Sequence, residues 1–179
     1  LGQAFAKSTF VHAGAAASVI DFYLENRPDI IMHPRIGGTI QDELGKIMEK
    51  EKQDIRYRIL YVRLLLELAK QNNVLYSEAE QELKALTKIA PKRQEIYYLL
   101  AFIHGSEGRV EEAIEVAERA VVLDSKVARA HYVLGVALAL SGNPEVQKKA
   151  EEELVKAEEL NPSLDTFYSS DLSTLIKIY

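Results

Sequence analysis

Apolar positions recur at helical spacing along most of this chain. Ala130, Val133, Leu134, Ala137 and Leu138 form one stripe at i, i+3, i+4, i+7 and i+8, and Ala113, Val116, Ala117, Ala120 and Val121 form another. That spacing predicts helices that bury one face and leave the other in water. Glu111, Glu112, Glu115, Glu118 and Arg119 fall opposite the second stripe, where solvent would lie. The segment ILYVRLLLELAK is apolar nearly all round, as a helix covered on several sides would be. Residues 1 to 53 also read as helical: an Ala-rich pair around LGQAFAKS and AAASVIDFYLEN, then RPDIIMHPRIGGTI, then TIQDELGKIMEKEK. Leu172, Leu175, Ile176 and Tyr179 place a last stripe on a short helix starting near Ser169 or Ser170.

Breaks between these segments carry their own signals. Ser77-x-x-Glu80 has the form of a capping box, and Asn143-Pro144 supplies an N-cap followed by proline in the first turn. Gly108 and Gly142 stand where a first helix should close. Pro28 and Pro34 interrupt helix, Gly37-Gly38 frees the backbone to turn, and Thr39-x-x-Asp42 predicts the start of the next helix. RPDIIMHPRIGGTI is therefore expected to be a connector.

The stripes repeat. Tyr97, Leu100, Ala101, His104 and Gly108 recur 34 residues on as His131, Leu134, Gly135, Leu138 and Gly142. Ala79, Leu83, Leu86 and Pro91 recur at the same distance as Ala113, Ala117, Ala120 and Ser125, and again 37 residues later as Ala150, Leu154, Ala157 and Pro162. The three extra residues fall in GNPEVQKKA, where a loop absorbs them. Each unit reads as two antiparallel helices, with small residues at Ala101, Gly135, Ala113, Ala120, Ala150 and Ala157 that allow close approach.

This pattern resembles the tetratricopeptide repeat, whose 34-residue unit runs W-x2-L-G-x2-Y, then A-x3-F, then A, then P. HYVLGVAL with Gly142, Ala150, Leu154, Ala157 and Pro162 is the nearest match, and the resemblance covers about three units over residues 58 to 163. It implies an all-α fold of antiparallel helix pairs forming a short right-handed superhelix, with residues 1–53 as an N-terminal helical segment or a degenerate repeat and 54–179 as the array with a C-terminal capping helix. His131 departs from the aromatic first position, and Ala117 from the large residue of the second helix. In the earliest unit Tyr61, Leu64, Leu65 and Leu68 face the core only with a turn through QNNVLYS two residues longer than usual.

Composition narrows the functions. At 179 residues, 47% hydrophobic and 27% charged, the chain can bury a core. Twenty-two basic against 27 acidic residues give a net charge of −5, which disfavours a nucleic-acid-tracking surface. Cysteine is absent, removing thiol nucleophiles, disulfides and thiolate metal sites. No run reaches the ~20 apolar residues of a membrane span. AGAAAS lacks the apolar stretch that would precede a signal cleavage site. The compartment stays open, as does self-association, because uncapped repeat ends stack readily.

Candidate chemistry is sparse. His104 and His131 occupy repeat positions that call for a packing aromatic, so core histidines are expected rather than a metal pair. His12 has no partner at metal-like spacing. The tyrosines Tyr57/Tyr61, Tyr97/Tyr98 and Tyr132 lack interleaved basic residues, which favours packing over base stacking. Hydrolase, zinc-protease and dinucleotide fingerprints are missing, and Gly38 to Gly45 is too long a spacing for a phosphate loop. No cofactor is expected.

By the resemblance, the concave groove would be lined by Glu95, Tyr98 and Phe102 from one unit and Arg129, Tyr132 and Val136 from the next. Carboxylate-clamp repeats place Lys and Asn where this chain has Tyr98/Tyr132 and Phe102/Val136, so a helix or apolar peptide of a protein partner suits the groove better. The leading expectation is a non-catalytic scaffold for protein binding. The alternative is a soluble repeat appendage of a larger bacterial membrane glycan polymerase or ligase of the O-antigen ligase type, prompted by the opening Leu1 and by N-terminal helices that align poorly with the repeat. A third, an enzyme built on His33, Arg35, Gly37 and Gly38, rests on the loop alone.

Overall fold

A computed structural model describes residues 10–52 and 54–164 of the chain. Among these residues every regular element is an α-helix. The expected helices around LGQAFAKS and Leu172–Tyr179 lie outside them. The chain divides into two compact units, Leu1–Leu86 and Thr87–Tyr179.

The first unit contains α1 (Phe10–Asn26), the single turn α2 (Pro28–Ile31), α3 (Pro34–Lys50), α4 (Ile55–Ala69) and most of α5 (Val74–Ile89). Helix α4 is the hub and packs against α1, α2 and α3. Its all-round apolar character is thereby explained. Ile20, Ile31, Ile40, Leu44, Ile47, Tyr57, Leu60 and Leu64 form one core, each aliphatic side chain contributing about 1.5–3 kcal/mol on burial. Leu64 and Leu65 are fully buried, whereas Tyr61 and Leu68 are half-buried.

Residues 27–40, expected to form a connector, are largely helical. Helix α3 starts at Pro34, with His33 as N-cap residue, and runs through Gly37, Gly38 and Thr39 without a break. Proline is pre-organised for the first helical turn, so Pro34 opens this helix instead of interrupting one. Gly37 donates its N–H to the His33 carbonyl at 2.9 Å, and the Thr39 hydroxyl bonds back to the Arg35 carbonyl at 2.7 Å rather than capping. The glycine serves packing: a Cβ on Gly37 would lie 2.6 Å from the Ile31 carbonyl oxygen and 2.7 Å from Leu68 Cδ2. Ser77-x-x-Glu80 is not a cap either. Helix α5 begins at Val74, and Asn72 Oδ1 takes the Val74 N–H at 3.4 Å.

The second unit holds two helix pairs, α6 (Gln94–Ser106) with α7 (Val110–Leu123) and α8 (Ala128–Ala139) with α9 (Pro144–Leu160). Contacts run α6–α7, α7–α8 and α8–α9, and α6 also touches α8. Gly108 and Gly142 close α6 and α8 with φ of 73° and 61°, the left-handed conformation that makes glycine the residue of choice after a helix. Asn143 Oδ1 accepts the Glu145 N–H at 2.9 Å at the start of α9. Gly135 lets α8 and α9 meet, since a Cβ there would sit 2.7 Å from Leu154 Cγ and 3.1 Å from the Ala150 carbonyl oxygen.

The repeat is visible in one hydrogen bond. The Tyr97 hydroxyl donates to the Pro91 carbonyl at 2.8 Å, and His131 Nε2 contacts the Ser125 carbonyl at 2.9 Å. Both bonds join the first core position of a unit to the carbonyl six residues earlier. That position selects a ring carrying a polar hydrogen, which is why histidine can stand where the repeat usually has an aromatic.

Candidate functional site

The residues expected to line a groove lie on α6 and α8, the neighbouring first helices of the two pairs. Burial of Tyr97, Tyr98, Ala101, Val133, Leu134 and Ala137 beside Ala113, Ala117 and Ala120 fixes the two helices against α7. Gln94 fastens the start of α6 by donating to the carbonyls of Ala120 at 2.8 Å and Asp124 at 3.0 Å, at the end of α7.

The six residues divide by depth. Tyr98 is 7% exposed and Val136 2%, so both belong to the core. Glu95, Phe102, Arg129 and Tyr132 are half-buried and reachable from solvent. The Arg129 guanidinium carbon sits 5.1 Å from the centroid of the Tyr98 ring, a cation–π contact in which the arginine roofs the buried phenol. Glu95 is joined to Arg93 by contacts of 2.9 and 3.2 Å, so its charge is locally balanced. Tyr132 packs on Ala128, Ala157 and Leu164. The accessible part is therefore aromatic, with a stacked arginine beside it.

Elsewhere the candidate chemistry disperses. His104 and His131 are both buried, as their repeat positions predict. His131 Nδ1 lies 2.5 Å from Glu153 Oε2, so with its other nitrogen on Ser125 the ring ties α9 to the α7–α8 turn. This partnership was invisible in the sequence, since His131 and Glu153 stand 22 residues apart with no pattern between them. His33 and Arg35 are exposed, Gly37 faces inward and Gly38 outward. They do not converge on a point.

The first unit holds half-buried polar contacts between its helices. The Tyr61 hydroxyl donates to Glu78 Oε1 at 2.6 Å and accepts from Gln41 Nε2 at 3.3 Å, and Arg58 holds Glu82 at 2.7 Å. Burial, reinforced by Glu78, pushes the Tyr61 phenol up to about 12, so it remains a neutral donor. Among the described residues no helix is long and apolar enough to cross a membrane.

Comparisons with known proteins agree with this geometry. The tetratricopeptide repeat model matches residues 62–128 and 103–162. TTC0263, a thermophilic TPR protein in Thermus thermophilus, superposes with a TM-score of 0.64 at 12% identity, over 93% of this chain and 91% of that one. The crystal structure of MamA gives a TM-score of 0.60 at 18% identity, over 85% of this chain and 84% of the other. At such identities the likeness is one of fold. No curated relative matches the sequence. The family match spans more than half of the residues, and the 34-residue recurrence and the paired helices accord with it: the chain belongs to the tetratricopeptide repeat family.

Proposed function

We propose that this protein is a non-catalytic interaction scaffold whose α6–α8 face holds an apolar helix or extended segment of a protein partner. Helix-pair repeats present long side-chain-lined surfaces, and proteins of this family generally act as scaffolds. The Arg129–Tyr98 stack flanked by the half-exposed Phe102 and Tyr132 carries the reading. Aromatic residues and arginine dominate binding hot spots because they bury much area at little entropic cost. Tyr98 acts by supporting Arg129 from below. The membrane-appendage reading gains nothing from the fold, which such appendages share with free-standing scaffolds.

The test is selection of peptides from a random display library on the intact chain, followed by affinity measurement on variants. The pair Phe102→Ala with Arg129→Ala is expected to weaken selected peptides by about tenfold or more, roughly 1.4 kcal/mol, with helicity unchanged by circular dichroism. Unchanged affinity would remove the face from consideration. Tyr98→Ala is a poor probe, since emptying a buried aromatic site costs about 3–5 kcal/mol of stability.

A further inference from the structure

Helix α1 carries apolar residues on two sides, and among the described residues only one of them is covered. Ile20 is buried, with Ala16, Ala17, Tyr23 and Leu24 packed beside it. Opposite them Ala15, Val19 and Phe22 face solvent one turn apart, with Val19 41% and Phe22 57% exposed. Gly14 and Ser18 extend the strip, and a Cβ on Gly14 would meet nothing within 4 Å. An aromatic and a valine left in water one turn apart on a packed helix mark a surface that a partner can cover. One edge of the strip is acidic. Asp21 and Glu25 share a single guanidinium: Arg63 Nη1 contacts Asp21, while its Nη2 stands 3.4 Å from Glu25. Both carboxylates remain nearly half exposed, at 43% and 44%. Two negative charges against one positive charge leave this edge attractive to cations.

We infer that the outer face of α1 is a docking strip for an amphipathic partner helix whose apolar seam is edged with lysine or arginine. The small residues at its start admit a close helix, Phe22 provides the anchor, and Asp21 and Glu25 set the charge of the partner. A second copy of the chain fits less well. Parallel pairing of two α1 helices would bring their carboxylates together, and antiparallel pairing would set them against Gly14, Ala15 and Ser18, which carry no charge.

The probes are two fluorescein-labelled helical peptides with the same leucine seam, one edged with lysine and the other with glutamate, titrated by anisotropy against the intact protein. The lysine-edged peptide is expected to bind about tenfold or more tightly than its glutamate counterpart and to weaken as salt rises. Phe22→Asp should abolish that binding without loss of helicity. Glu25→Gln should weaken it about two- to fivefold, and the Phe102/Arg129 variant should leave it unchanged. Equal affinity for the two peptides, no binding of either, or indifference to Phe22→Asp would overturn the inference. So would a dimer seen by sedimentation that Phe22→Asp dissolves, because the strip would then belong to self-association.

Discussion

Gly37 and Gly38 are neighbours in one helix and do opposite things. Gly37 is the contact point through which α3 reaches α2 and Leu68 of α4, and any Cβ there meets a backbone oxygen at 2.6 Å that cannot step aside. Gly38 faces solvent, with nothing within 4 Å of its would-be Cβ. Gly37→Ala should therefore cost about 1–3 kcal/mol through overpacking. Gly38→Ala should stabilise by roughly 0.5–1 kcal/mol through helix propensity and a less flexible unfolded chain. Urea denaturation of both variants measures the two signs, and shifts in the same direction would contradict this packing. Tyr61 offers a second residue-level test. Its folded value of about 12 lies above the ordinary 10.0, so the neutral phenol is favoured in the fold. Its contribution is complete below pH 10 and is lost as pH climbs from about 10 to about 12. Tyr61→Phe should lower stability by about 1 kcal/mol at neutral pH and remove that part of the alkaline decline in thermal melts.

At the scale of elements, the helices with a clear one-sided stripe were legible in the sequence and the ends of helices were less so. Helices α7 and α8 follow the stripes of Ala113 and Ala130, and Gly108, Gly142 and Asn143 close and open helices where their chemistry predicts. The start of α3 was misread because glycine pairs usually mark turns, whereas here one glycine was kept for close packing between segments that lie far apart in sequence. Ser77 was misread for a related reason: the Asn72 turn starts α5 earlier, and no local pattern ranks one capping signal above another. The same limit applies to the site. The family resemblance assigned six residues to two first helices, but only the packed structure separates the buried Tyr98 and Val136 from the four that solvent reaches. A pair of cap variants checks the element boundaries. Asn143→Ala should cost about 1 kcal/mol, as removal of a side-chain cap does. Ser77→Ala, on the exposed side of α5, should stay within about 0.5 kcal/mol of wild type. Equal losses would mean that Ser77 caps after all.

For the molecule as a whole, two compact units each carry their own core and offer different surfaces: an aromatic face with a stacked arginine on α6 and α8, and an apolar strip with an acidic edge on α1. The two proposed docking faces therefore call for partners of unlike chemistry. One further property follows from the bond between the Tyr97 ring and the Pro91 carbonyl. The family most often has tryptophan at this position, and the chain contains no tryptophan anywhere. An indole N–H can take over the hydroxyl's role as donor to the same carbonyl. Tyr97→Trp would thus give the protein a single tryptophan, and its emission, excited beyond the absorption of the tyrosines, would report the folding of the second unit.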